Sequence, residues 1–100
     1  METKIYEEED NKTIVDVVGR IDTTTVPDLE KEILPLVEDV SDLVFNFEKL
    51  EYISSAGLRL LLSVQKKMNQ KNGKFVLRNI NEFVQEVLDM TGFADIIAVE

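Results

Sequence analysis

The sequence contains neither cysteine nor histidine. The lack of cysteine excludes disulfide bonds and a thiolate nucleophile, and the lack of both excludes the usual zinc sites. Ser-His-Asp catalysis is excluded as well, because no imidazole can accept the serine proton. The chain also lacks a Gly-rich phosphate loop and any run of 18 apolar residues. We therefore expect no metal, no cofactor and no transmembrane helix.

Basic residues are few, with eleven Lys and Arg against twenty Asp and Glu, and the net charge is -9. A surface of that sign repels nucleic acid and anionic lipid, so neither is expected as a partner. The basic side chains that cluster could form a solvated helix face or a patch that meets an acidic partner. They are Arg59, Lys66, Lys67, Lys71, Lys74 and Arg78.

Length and composition limit the architecture. A chain of 100 residues, 44% of them hydrophobic and 31% charged, can supply one core under a soluble surface. No Gly/Ser/Pro-rich linker or internal repeat divides it, which predicts a single domain over residues 1–100, with a monomer as the default. The first ten residues carry four Glu and one Asp and do not resemble a secretory signal, so we expect a cytoplasmic protein.

Apolar residues recur with strand-like and helix-like spacing in turn. The predicted order is strand, strand, helix, strand, helix, strand, helix, which favours an α/β fold. We expect a mixed sheet of four to five strands, packed with about four helices, whose first two strands pair antiparallel. The predicted strands are residues 4–7, 13–18, 43–47 and 74–78, and the predicted helices begin at about residues 26, 55 and 82.

Four details of this pattern can be tested directly. Pro35 predicts a kink in the first helix or an end near Leu34. Asn72 and Gly73 predict the end of the second helix, with the glycine in the left-handed conformation. The residues of the third helix predicted to face the core are Phe83, Val84, Val87 and Leu88. The apolar tail is expected to dock on the domain through Phe93, Ile96, Ile97 and Val99.

The segment most informative about function lies between a predicted strand and a predicted helix, where α/β folds present functional groups. A serine at this helix start can act as an N-cap, whose hydroxyl accepts a backbone N–H bond. It can also act as a phosphoacceptor, since the positive end of the helix stabilises added negative charge. Spacing alone leaves both interpretations open. The segment reads Tyr52-Ile53-Ser54-Ser55-Ala56-Gly57-Leu58.

This segment closely resembles the signature of STAS domains, in particular those of bacterial anti-sigma factor antagonists. The resemblance extends over nearly the whole chain and implies a single STAS-type domain. It also includes the Gly19-Arg20-Ile21-Asp22 loop followed by Thr25-Val26-Pro27, the Asn72-Gly73 pair before a strand, and the closing Met90-Thr91-Gly92-Phe93 segment.

The resemblance implies regulation by partner switching. In the family, the unmodified antagonist binds an anti-sigma factor that is also a serine kinase, and this frees the sigma factor. The kinase then phosphorylates the antagonist, the complex separates, and a metal-dependent phosphatase of the PP2C type restores the antagonist. Carried over by position, the phosphoacceptor is Ser55. Ser54 stands where many members have Asp, which makes it the second candidate acceptor.

The same resemblance suggests which residues bind the partner: Asp22, Ser54, Ala56, Gly57 and Arg59. Asp22 matches a family acidic residue near the acceptor, but an Asp in a turn can also bond to local backbone. Arg59 stands where others often have Gly, and is either a specificity contact or a solvated side chain. Gly57 is expected to permit close approach of the helix to the sheet.

Two other functions remain to be considered. The first is a constitutive STAS interaction module, such as an accessory subunit of a transport or signalling complex, in which Ser55 is only a cap. The second is an enzyme that uses carboxylates alone, for which Asp16, Asp22 and Glu51 would have to converge. With no histidine or cysteine available, we predict that the chain is not an enzyme.

Overall fold

A computed structural model describes all 100 residues, which form one sheet and three α-helices around a common core. The helices are α1 (Val26–Asp39), α2 (Ser55–Gln70) and α3 (Glu82–Thr91). Short 3-10 turns occur at Glu9–Asn11 and Phe93–Asp95. The strands are β1 (Glu2–Glu8), β2 (Lys12–Ile21), β3 (Asp42–Asn46), β4 (Leu50–Ile53), β5 (Lys74–Arg78) and β6 (Ala98–Val99).

The sheet is mixed, with the strand order β1-β2-β3-β5-β6, and β4 pairs with the end of β2. Strands β1 and β2 are antiparallel, and the other pairs are parallel. The predicted α/β class and antiparallel first pair are therefore confirmed. The sheet has six strands, and three α-helices stand where about four were expected. The unforeseen strands β4 and β6 have only four and two residues, too short for a periodic signal.

Strand β2 shows how the sequence builds the core. Val15 and Val17 are fully buried on one face of the sheet, where they join α1 and α2 in a single hydrophobic cluster. Between them Asp16 points to the opposite face and accepts hydrogen bonds from Asn46 Nδ2 at 2.9 Å and from the Tyr6 hydroxyl at 3.1 Å. Burying each large aliphatic side chain contributes about 1.5–3 kcal/mol, so this alternation sets the orientation of the strand.

Pro35 does not end the first helix. Helix α1 continues through Pro35 to Asp39, so the prediction of an end near Leu34 is wrong. A proline inside a helix leaves the carbonyl four residues earlier without its N–H donor, and here that carbonyl belongs to Lys31. Both Lys31 and Pro35 are exposed. Water can therefore bond to the free carbonyl. Ile33 and Val37, one before and one after Pro35, are both buried and anchor the helix to the core on each side of the proline.

Helix α2 ends near the predicted position, but Asn72 and Gly73 have different roles from those expected. Asn72, not Gly73, takes the left-handed conformation, with φ of 59°. Gly73 is needed for space, since a Cβ there would lie 2.8 Å from Met68 Cε and 3.0 Å from the Ser41 carbonyl oxygen. Gly92, with φ of 80°, ends α3.

The C-terminal tail docks through one buried side chain and one short strand. Ile97 is 1% exposed, whereas Ile96 and Val99 are 50% and 40% exposed. The expectation that the apolar tail packs on the domain therefore holds for the side chain of Ile97 and partly for that of Phe93. Val99 docks through the pairing of β6 with Leu77 of β5 while its side chain is exposed, and Ile96 stays exposed. None of the three helices combines the length and the apolar character that crossing a bilayer would require.

Candidate functional site

The site lies where the carboxyl ends of β2 and β4 meet. These strands run parallel, and the Ser54 N–H donates to the Ile21 carbonyl oxygen at 2.9 Å. This bond brings the turn that begins at Asp22 beside the start of α2. The arrangement matches the general position of ligand and reaction sites in open α/β sheets, outside the carboxyl ends of the strands.

Ser54 is the N-cap of α2. Its backbone is extended, with φ of -91° and ψ of 175°, and its Oγ accepts a hydrogen bond from the Gly57 N–H at 3.3 Å. Its carbonyl oxygen also accepts from the Leu58 N–H at 2.9 Å. The Ser54 hydroxyl thus satisfies one of the backbone donors that every helix leaves open at its first turn, and the Ser54 carbonyl accepts the first regular hydrogen bond of the helix.

Ser55 is the first helical residue, and its environment is different. Its side chain is exposed, and its hydroxyl makes no hydrogen bond to the protein. The N–H groups of Ser55 and Ala56 lie at the open end of the helix, where no intrahelical acceptor exists. The capping role that the sequence left open therefore belongs to Ser54, and the Ser55 hydroxyl is free for other chemistry.

This difference predicts unequal effects when each serine is truncated. Ser54→Ala removes the cap and is expected to lower the free energy of unfolding by about 1 kcal/mol. Ser55→Ala removes a solvated hydroxyl and is expected to change it by less than about 0.5 kcal/mol. Urea denaturation followed by circular dichroism measures both values. Equal losses in the two variants would contradict the assignment of Ser54 as the cap.

Gly57 fixes the distance between α2 and the sheet. It is buried, and a Cβ at this position would lie 2.7 Å from Ile21 Cγ2 and 2.7 Å from Ile53 Cγ1. The close approach expected from the sequence is therefore present. A buried glycine offers a partner no side chain, so any effect of Gly57 on partner binding is indirect, through the position of Ser55.

Asp22 is occupied by its own turn. Its Oδ1 accepts hydrogen bonds from the Thr24 hydroxyl at 2.7 Å, the Thr24 N–H at 3.0 Å and the Thr25 N–H at 3.2 Å. The Thr24 hydroxyl is the main cause of the lowered pKa of Asp22, and the Arg20 guanidinium at 3.7 Å adds to it. Asp22 is therefore ionised at neutral pH, and it shapes the loop next to Ser54 and Ser55.

An exposed stack beside the site was not predicted. The Arg20 guanidinium lies 4.4 Å from the centroid of the Tyr52 ring, and Tyr52 stacks on Phe83 at 5.9 Å. Phe83 is 43% exposed, so its predicted inward orientation is wrong. Val84 and Leu88 already face the core four residues apart, which turns Phe83 about 100° away from it. The stack depends on the register of β2 with β4, which pairs Arg20 with Tyr52, so no local sequence pattern indicates it.

Arg59 and Ala56 complete the surface around Ser55. Arg59 is exposed and Ala56 is partly exposed, and neither takes part in a salt bridge. No group of three or more carboxylates lies close enough together to hold a metal ion. The side chains gathered at this end of the sheet are therefore one free hydroxyl, two arginines, two aromatic rings and a carboxylate already bonded to its own turn.

The chain belongs to the STAS domain family, whose model matches residues 3–100. Over 90 residues it is 30% identical to the anti-sigma-B factor antagonist of Bacillus subtilis (strain 168), covering 90% of this chain and 83% of the relative. An anti-sigma factor antagonist from Mycobacterium paratuberculosis has a similar structure, with a TM-score of 0.86, 27% identity and coverage of 98% and 83%. The Bacillus cell fate determinant SpoIIAA in its phosphorylated form superimposes with a TM-score of 0.77 and 18% identity, covering 99% of this chain and 91% of that one.

Proposed function

We propose that this chain is an anti-sigma factor antagonist that works by phosphorylation-controlled partner switching. The unmodified protein binds an anti-sigma factor that is also a serine kinase, and so releases a sigma factor. Phosphorylation of Ser55 ends that binding, and a phosphatase of the PP2C type reverses the modification. The family membership and the relatives that are themselves named antagonists support this proposal.

The observation that carries the proposal is the free hydroxyl of Ser55. It is exposed at the first residue of α2, and the neighbouring Ser54 already supplies the cap. A kinase can therefore reach the Ser55 Oγ without unfolding the domain. The γ-phosphoryl group of ATP is transferred to this oxygen, the hydroxyl proton is lost, and ADP is released. Because the reaction needs ATP, we place the switch in the cytoplasm.

The fold can accommodate the phosphate. The modification adds about 1.5 to 2 negative charges at physiological pH. At the start of α2 those charges meet the positive end of the helix and the N–H groups of Ser55 and Ala56. The modified protein therefore keeps its structure while the charge of the surface it offers a partner changes.

Ser54 is the weaker acceptor candidate. Its hydroxyl holds the Gly57 N–H at 3.3 Å and its side chain is only partly exposed. Phosphorylation there would replace the helix cap with a bulky dianion beside the Ile21 carbonyl oxygen, which already accepts the Ser54 N–H. We therefore assign the acceptor to Ser55 and the capping role to Ser54.

The partner surface that fits this proposal surrounds the acceptor. Ala56 and Arg59 lie beside Ser55 on α2, and the Arg20–Tyr52 stack lies on the adjoining strands. Aromatic and arginine side chains are the types that most often contribute binding energy in interfaces. Asp22 contributes by holding the neighbouring turn, and Gly57 by setting the height of α2 above the sheet.

The direct test is phosphorylation of the purified chain by the serine-kinase anti-sigma factor from the same genome. We expect intact-mass measurement to show one added phosphate in the parent and in Ser54→Ala, and none in Ser55→Ala. If the kinase binds the parent tightly with ATP present but never modifies it, the chain is a constitutive interaction module. Modification of Ser55→Ala at the parental rate would instead move the acceptor to another residue.

A further inference from the structure

Helix α2 turns one line of side chains outward from the acceptor serine. Ser55, Arg59, Leu62 and Lys66 are separated by four, three and four residues, the spacing that puts side chains on one side of a helix. Ser55, Arg59 and Lys66 are exposed, and Leu62 is partly exposed. Arg59 is the first charged side chain after Ser55 along this line, one turn further into the helix.

Arg59 has no partner in the unmodified protein. Its guanidinium has no carboxylate within 4.0 Å and forms no side-chain hydrogen bond. The lack of a partner has a cause in the sequence, because no Asp or Glu occurs anywhere in the 30 residues 52–81. In a chain of net charge -9, a free arginine one turn from the acceptor is therefore available to a newly added anion.

We propose that Arg59 is the intramolecular counter-ion of phosphorylated Ser55; the inference rests on the proposed modification of that serine. Residues four apart on a helix have Cβ atoms about 5–6 Å apart, within reach of an arginine and a phosphate. The acidic group lies toward the N-terminus, which is the favourable order for such a pair. The planar guanidinium can also bond two phosphate oxygens at once.

This pairing gives the modification a second effect. Without phosphate, Arg59 is free to contact the partner beside Ser55. With phosphate, the guanidinium is held by the modified serine, so the partner loses a cation and meets a dianion where the neutral hydroxyl stood. Both changes weaken binding of the partner at the same surface.

Other charged groups at this end of the sheet are less available to the phosphate. Arg20 and Asp22, on β2 and the turn that follows it, pair with each other at 3.7 Å, and Arg20 also lies over the Tyr52 ring. Lys66 is exposed on the same line of α2, but it lies eleven residues, or about 16 Å, beyond Ser55. Arg59 is thus the cation best placed for the phosphate.

The test uses the full chain with phosphoserine incorporated at position 55 during synthesis, so that no kinase is required. Phosphorus NMR follows the second phosphate ionisation, whose pKa is ordinarily near 6. We expect Arg59→Gln to raise this pKa by about 0.2 to 0.4 units, because the counter-ion that stabilises the dianion is lost. Lys67→Gln removes an equal charge from another side of α2 and should leave the pKa at the parental value.

Two outcomes would overturn the inference: an unchanged titration in Arg59→Gln, or an equal shift in Lys67→Gln, which would indicate a general charge effect. Urea denaturation of the unmodified variants checks that both are folded. Failure of the proposed function would be seen separately, as a parent chain that its kinase does not modify. The phosphoserine titration does not depend on that result.

Discussion

Replacing Ser55 with Asp is expected to weaken binding to the anti-sigma factor by about 100-fold or more. A buried charge that is left uncompensated typically costs about 3–5 kcal/mol. A carboxylate at position 55 would be buried against the partner with no counter-ion on the partner's side. Ser55→Ala adds no charge and removes a hydroxyl that makes no hydrogen bond within the protein, so it should keep the fold and bind like the parent. Isothermal titration calorimetry with the purified anti-sigma factor measures all three affinities.

A matched control separates the position of the charge from its sign. Ser41 is an exposed serine just before β3, at the opposite end of the sheet from the site. Ser41→Asp changes the net charge of the chain by the same amount as Ser55→Asp, and it should leave the affinity unchanged. If Ser55→Asp bound as tightly as the parent, charge at the start of α2 could not be the switch.

Gly57→Ala is expected to destabilise the fold by about 1–2 kcal/mol. The added methyl would lie 2.7 Å from both Ile21 Cγ2 and Ile53 Cγ1, and overpacking of this kind costs about 1–3 kcal/mol. Alanine gains up to about 1 kcal/mol over glycine in helix propensity, which offsets only part of that cost. Urea denaturation gives the difference, provided that the denaturant dependence is unchanged.

The same clash predicts coupling between two substitutions. Ile53→Ala alone leaves a cavity and should be strongly destabilising, as large-to-small core changes are. In the double variant the Gly57→Ala methyl can occupy part of that cavity, so the combined loss should be smaller than the sum of the two. Strictly additive losses would show that the helix shifts to relieve the contact rather than pressing on Ile53.

The regular elements could be predicted because their buried residues recur with a clear period. Helix α2 has Gly57, Leu61, Val64 and Met68 on its inner side, and its first residue is the predicted Ser55. Strand β2 has the β-branched residues expected of a buried strand. The end of α1 could not be predicted locally, because the fate of Pro35 depends on which side of the helix faces water.

The candidate site was predictable in position but not in detail. The pattern of residues 52–58 locates a serine at a helix start, yet two serines in succession satisfy the same pattern. The extended backbone at Ser54 and the helical one at Ser55 decide which hydroxyl caps and which remains free. Likewise, the Arg20–Tyr52–Phe83 stack depends on strand register and helix rotation, which are tertiary properties.

Along one edge, strand β2 pairs in parallel first with β3 and then with β4. Thr13 to Asp16 pair with β3, and Gly19 to Ile21 pair with β4, with a shift of register between Gly19 and Arg20. The strand that presents Ser55 is therefore attached at the margin of the sheet rather than within its central ladder. Substitutions at that margin can therefore change the surface around Ser55 while the central pairing of β2 with β3 stays intact.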